Sequence, residues 1–232
     1  MKWKNLIILA AVAAFVLLFT LPYILYPFEV PLDTFFKVSN KDLAKPGYVC
    51  IILISWYGCP FGAADSWVLY SFLSHYGKIV YNFSYSDPQD VYPNTPAIIF
   101  KEFYPNSSVL FRFVYLYNRY LNATACCKVV SNYVSFGLSK ISSCFPQYCP
   151  LVKEYVVNKW AQGGYFQSAA YMGNPPHIPT TILISSSKGT YILIGYIYNP
   201  SCISGMAPSY ILTHLNSLSF IQSGVEKMEN LI

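Results

Sequence analysis

Charge is scarce in this sequence. Of 232 residues only 11% are charged, while 54% are apolar. That balance excludes a disordered chain, which combines low hydrophobicity with high charge. The formal net charge is +5, yet the lysines and arginines are scattered. Without a basic cluster to neutralise phosphates, nucleic acid is excluded as a partner. Glycine-rich GxGxxG and P-loop patterns are missing, and so is a Ser/His/Asp order, so no cofactor is expected. There is no internal repeat and no low-complexity tract. CxxC knuckles are absent too. Cys126, Cys127, Cys144 and Cys149 could in principle supply four thiolates, but their spacing argues against zinc, and no metal site is expected. In place of charge stand 22 tyrosines. A surface of neutral hydrogen-bonding groups would suit an acidic exterior, where such groups keep their charge state.

A second long apolar run is also lacking, which leaves one candidate span. Lys2 and Lys4 precede a charge-free run from Asn5 to Phe28. A helix needs about 20 apolar residues to cross a bilayer. The end of the run, "LFTLPYILYPFEV", has no small-x-small cleavage site, so residues 1–28 read as an uncleaved signal anchor rather than a signal peptide. Pro22 is expected to kink or end the regular helix. Flanking lysines stay inside, which places Glu29 to Ile232 outside a plasma membrane crossed once, with membrane lipid around the N-terminal helix. Three sequons in that outer part, at Asn82, Asn106 and Asn122, are candidate glycosylation sites. Asn82 falls in an expected strand and is the weakest of them.

Residues 29–46 read as a polar linker and 47–232 as one domain. "YVCIILISW" (48–56) fits a strand buried on both faces. Pro60 takes a helix N1 position, and the pattern after it predicts a helix over about 60–75, stopped by Gly77. "KIVYNFSYS" reads as the next strand, which would make a parallel βαβ unit. Near the C-terminus, "HIPTTILISSSKGTYILIGY" predicts a β-hairpin turning at Lys188-Gly189. One amphipathic helix should follow, with Ile211, Leu215, Leu218 and Ile221 on one face. Residues from about 101 to 176 look like a mostly irregular or helical insertion.

A buried strand, the turn Cys59-Pro60-Phe61-Gly62, a helix, then Ile178-Pro179-Thr180 leading a hairpin and a closing helix resembles the thioredoxin-like superfamily. The long insertion is similar to a DsbA-type arrangement. "GCPFGAADSW" followed by "LSHYG" further resembles an uncharacterised family of membrane-anchored proteins of thermoacidophilic archaea. The resemblance implies an α/β thioredoxin-like fold behind one transmembrane helix. It also implies a cis Ile178–Pro179 bond facing Cys59, with Cys59, Pro60 and Pro179 as the catalytic set.

The departure is Gly62, which stands where a dithiol enzyme has its resolving cysteine. Cys59 alone could attack a disulfide but not release itself. A helix N-terminus should lower its pKa, and a Gly62→Cys change should restore turnover. The chain has seven cysteines, so outside the membrane one is left over. Cys144 and Cys149 are the preferred disulfide. Cys202 is the candidate partner for Cys59, and Cys50 reads as an inert core thiol. His177, two residues before Pro179, is a candidate thiolate stabiliser, although a half-exposed loop histidine is the simpler reading. His75 and His214 read as structural or solvated. Asp65 reads as a surface residue meeting the helix dipole. The leading expectation is monothiol exchange with extracytoplasmic protein thiols. The alternative is a redox-inactive binding or scaffold domain of the cell surface.

Overall fold

The computed structural model describes residues 3–25 and 29–232; within 3–25 the side chains described are those of residue 3 and residues 7–18. Helix α1 runs Trp3–Leu25, so it continues past Pro22 and does not stop there. One missing N–H in the last turn removes a single ladder bond and leaves the others. The side chains at 7–18 are exposed. Among the described residues no helix is long and apolar enough to cross a membrane. Lys2 and the end of the expected anchor, Tyr26 to Phe28, lie outside the described residues.

The expected linker is part of the domain. Val30 is fully buried. Its N–H donates to Trp160 O and its carbonyl accepts from Gln162 N, both at 2.8 Å. Strand β1 (Phe36–Ser39) pairs antiparallel with β7 (Gly189–Ile194). Three more strands complete the central sheet: β2 (Val49–Ser55), β5 (Val109–Tyr115) and β6 (Thr181–Ser186). Their order is β1-β7-β6-β2-β5. Only β2 and β5 run parallel; β6 is antiparallel to both β2 and β7. The β6–β7 hairpin falls where its sequence places it.

Alternation along the central strands divides the interior in two. Cys50, Ile52, Ile54, Leu183, Ile192 and Ile194 face one core. Ile51, Leu53, Ile182, Ile184 and Leu193 face the other. Each fully buried Ile or Leu contributes roughly 1.5–3 kcal/mol relative to exposure. Helix α2 (Pro60–Leu73) and α6 (Ser219–Glu229) cover the second core, while α3 (Tyr133–Cys144) and α4 (Cys149–Val152) cover the first. A π-helical turn, Lys153–Asn158, continues α4.

Three expectations are corrected. The parallel partner of β2 is β5, inside the stretch read as insertion, and not "KIVYNFSYS". That segment is β3 (Gly77–Tyr85), which forms a separate hairpin with β4 (Pro96–Pro105). Its half-exposed pattern suits a ribbon with one wet face, whereas a parallel strand in a layered sheet is covered on both. The ribbon packs on the outer side of α2: Trp67 Nε1 donates to Pro96 O at 2.8 Å, and Ile98 N to Ser66 Oγ at 2.9 Å. Residues 101–176 are therefore not uniformly irregular. Finally, the closing helix is two: α5 (Pro208–His214), a 3₁₀ turn over Leu215–Ser217, then α6. Leu218 is extended, with φ −85° and ψ 97°, which breaks the helix between the expected apolar positions.

Candidate functional site

Strand β2 delivers Ser55 to one end of the sheet. Trp56 to Gly58 turn the chain, and Cys59 becomes the N-cap of α2 with Pro60 behind it. The turn is held by its neighbours. Asp87 N donates to Gly58 O at 2.9 Å, which pins the β3–β4 loop beside Cys59. A Cβ on Gly58 would overlap Arg119 O, so only glycine fits there.

Cys59 is 4% exposed. Thr180 Oγ1 donates to its Sγ at 2.9 Å, and Thr180 and Ser55 share a hydroxyl hydrogen bond of 2.8 Å. Burial pushes the Cys59 thiol up to about 11, against the opposing pull of the Gly62 amide, the Thr180 hydroxyl and the Phe61 amide. Desolvation of the thiolate thus opposes the acidifying effect expected of the helix start. Gly62 is also more than a missing cysteine. A Cβ there would overlap Ser55 Oγ and lie 3.0 Å from Thr180 Oγ1. The α2 backbone rests directly on the Ser55–Thr180 pair.

Pro179 lines the same cavity as Cys59. The expected cis bond is not there: among the described residues the cis peptide is Asn174–Pro175, so Ile178–Pro179 is trans. The segment is held by side chains instead. Ile178 N donates to Tyr117 Oη at 3.2 Å, and Tyr117 Oη donates to Tyr133 O at 2.8 Å.

His177 also lines the cavity, its ring edge-on to Trp56 and Tyr117. Its Nδ1 lies 2.7 Å from Pro175 O, and burial lowers its pKa. Burial of the ring weighs against the charged imidazole that a thiolate stabiliser would need.

Cys202 is exposed and free. It sits in the 3₁₀ turn Pro200–Ile203, which inserts Ile203 into the α2-side core, whereas Cys59 belongs to the opposite core. Cys59 and Cys202 are both free thiols in the structure. Cys144 and Cys149 are both free. The former ends α3 and the latter begins α4, where its Sγ donates to Leu138 O at 3.6 Å. Among the described residues every cysteine is a thiol, and no group of three His, Cys, Asp or Glu is placed to hold a metal. The sequon asparagines Asn82, Asn106 and Asn122 are all exposed.

The cavity over Cys59 measures about 690 Å³. Trp56, Phe61, Leu121 and Met172 give it apolar walls, and Asp33, Asp87 and Asp90 add three carboxyls; no Lys or Arg lines it. Burial raises the pKa of Asp33 and of Asp90.

Ser55, which the sequence reading does not single out, carries the network under Cys59 together with Thr180 of the Ile178-Pro179-Thr180 motif. Asp65, expected at the surface, is a correction. It is fully buried, with Oδ1 accepting from Ile197 N at 2.7 Å and Oδ2 unpartnered. Burial raises its pKa well above the usual carboxylate range. The available signal was its setting, since α2 has no polar face for an acid to occupy.

No curated protein and no solved structure matches the chain. The sequence matches the family described as a domain of unknown function, DUF929, over residues 34–232. That match begins just ahead of β1 and runs through α6, so the chain belongs to the DUF929 family.

Proposed function

We propose that the chain is a membrane-anchored, extracytoplasmic protein with a thioredoxin-like domain that has kept the fold's binding cleft and retired its redox chemistry. The strand order β5-β2-β6-β7, with β2 and β5 parallel and β6 antiparallel, supports the fold. The N-terminal helix is the membrane anchor, on the strength of the charge-free run behind two lysines. One observation carries the functional reading: Cys59 is a buried thiol with its pKa raised to about 11, and a Cβ at Gly62 would overlap Ser55 Oγ. The cavity over Cys59 is then a binding site for an extended segment of another extracytoplasmic protein. Its apolar walls and three carboxyls favour apolar and basic side chains.

Monothiol exchange through Cys59 is the second reading. It is favoured by the amides of Gly62 and Phe61, which act to stabilise a thiolate at the start of α2. The pH profile of Cys59 alkylation separates the two. Exposed Cys126, Cys127 and Cys202 serve as internal references. Under the binding reading Cys59 stays unmodified near neutral pH while they react, and insulin-type reduction shows no turnover. Rapid alkylation of Cys59 with an apparent pKa below that of a free thiol, about 8.5, would favour exchange.

A further inference from the structure

Residues 160–179 contain no Asp, Glu, Lys or Arg. Within them, residues 161–167 close a loop: Ala161 N donates to Gln167 O at 2.8 Å, and Gln167 N to Gly164 O at 3.0 Å. Its tip presents Tyr165 and Phe166 at 93% and 70% exposure. Both tip residues have positive φ, 49° and 69°. Tyr171 and Met172 follow, also exposed. Met172 lies against the loop, with Sδ 3.4 Å from where a Cβ on Gly164 would be. Soluble surfaces rarely gather neutral aromatics in this way without a partner.

The chain itself points to the partner. The loop grips Val30 between Trp160 O and Gln162 N. Val30 is five residues beyond the last residue of α1, Leu25, a reach of at most ~18 Å when fully extended. Wherever α1 leaves the bilayer, this loop is tethered beside it. Tyr and Trp are the side chains that favour the headgroup level, where an amphipathic ring meets both media.

We infer that the loop carrying Tyr165 and Phe166, together with Tyr171 and Met172, docks onto the bilayer surface next to the anchor. This rests on the anchor reading given above. The docked end is also the Cys59 end. Leu32, Asp33 and Met172 line the Cys59 cavity, and Asp33 N donates to Ile194 O, at the β7 terminus level with Thr181 and Ile54. The cavity then opens close to the membrane, and its ligands are membrane-proximal segments of other anchored proteins. The β4–β5 turn lies at the opposite end of the sheet, where β2 and β5 begin at Val49 and Val109.

The test uses the full chain in vesicles of phosphatidylcholine with or without brominated acyl chains. Tyr165→Trp places a reporter at the loop tip, and Tyr104→Trp places one beside the β4–β5 turn; both replace exposed aromatics. Wild-type fluorescence is subtracted. Docking predicts that bromination removes most of the signal added at 165 and leaves that added at 104 unchanged. Equal behaviour of the two reporters overturns it, as would coverage of the loop by a protein or a second copy. An alkaline carbonate wash distinguishes the two failures. Chain retained in the vesicles with an unquenched 165 reporter removes the docking alone. Chain released by the wash removes the anchor, and the docking with it.

Discussion

At Gly62 a missing side chain decides what the site can become. The sequence invites Gly62→Cys as a repair, because the motif spacing is right. The packing refuses it, since the new Cβ would overlap Ser55 Oγ, which is hydrogen-bonded to Thr180. We expect Gly62→Cys to cost about 1–3 kcal/mol, the usual range for overpacking, and to add no disulfide-exchange turnover. Denaturant midpoints and insulin reduction test both halves, and a stable, active variant would disprove the packing argument. Gly62→Cys with Ser55→Gly should recover part of the lost stability. Asp65 makes a separate prediction. Its folded pKa lies well above its ordinary value of 3.8. The stability it contributes is therefore full below pH 3.8 and is lost as pH rises toward the folded value, at up to about 1.4 kcal/mol per pH unit for one proton. Asp65→Asn cannot ionise and should flatten this fall. Thermal midpoints of both proteins measured from pH 3 to 8 check it; parallel profiles would show that Asp65 does not titrate with folding. Cys59, Pro60 and Pro179 stand in short motifs that the sequence displays, and the structure brings them to one cavity. Ser55 meets Thr180 across 125 residues, and Asp65 meets Ile197 across 132, and no spacing encodes either contact.

Among the elements, legibility followed burial. Strand β2 and the β6–β7 hairpin have strong apolar runs and lie where the runs are. The sequence of β3 marks a strand but not its neighbour, because its half-exposed pattern fits an outer ribbon as well as a sheet edge. Strand β5 was hidden by Arg112 in the middle of its apolar run; that side chain reaches out to donate to Cys144 O at 2.8 Å. What seats the β3–β4 ribbon on α2 is a polar contact inside an apolar layer. Ser66 Oγ accepts from Ile98 N and donates to Ala63 O at 2.6 Å. Ser66→Ala leaves the buried Ile98 N–H without its partner, at a cost of about 1–3 kcal/mol. The loss should be local. Amide exchange in β4 should quicken near Ile98 while β2 and β6 stay protected. Uniform acceleration across the sheet would mean that the ribbon and the sheet open as one unit.

For the whole molecule, one end of the sheet gathers the entry from α1, the aromatic loop and the Cys59 cavity, and the other carries the β4–β5 turn with Asn106. That polarity makes the sequons a test of orientation. Asn106 is exposed at the far end, and its Ser108 is exposed too. Asn122 is differently placed. Its Oδ1 accepts from Asn118 Nδ2 at 2.7 Å, and Thr124 of the same sequon is buried, with Oγ1 accepting from Lys128 N at 3.0 Å. Asn82 lies within β3, where its backbone pairs with Ile99. If the domain faces outward and its anchored end rests on the membrane, a glycan is accommodated at Asn106 and disfavoured at Asn122 and Asn82. Protein purified from native membranes should therefore yield a glycopeptide spanning Asn106 and unmodified peptides for the other two. Protease added to intact cells should remove the domain and leave a fragment the size of the anchor. A domain that resists protease in intact cells and carries no glycan at Asn106 would place residues 29–232 inside. A glycan on Asn122 would instead put the Cys59 end of the domain away from the bilayer while keeping the protein outside.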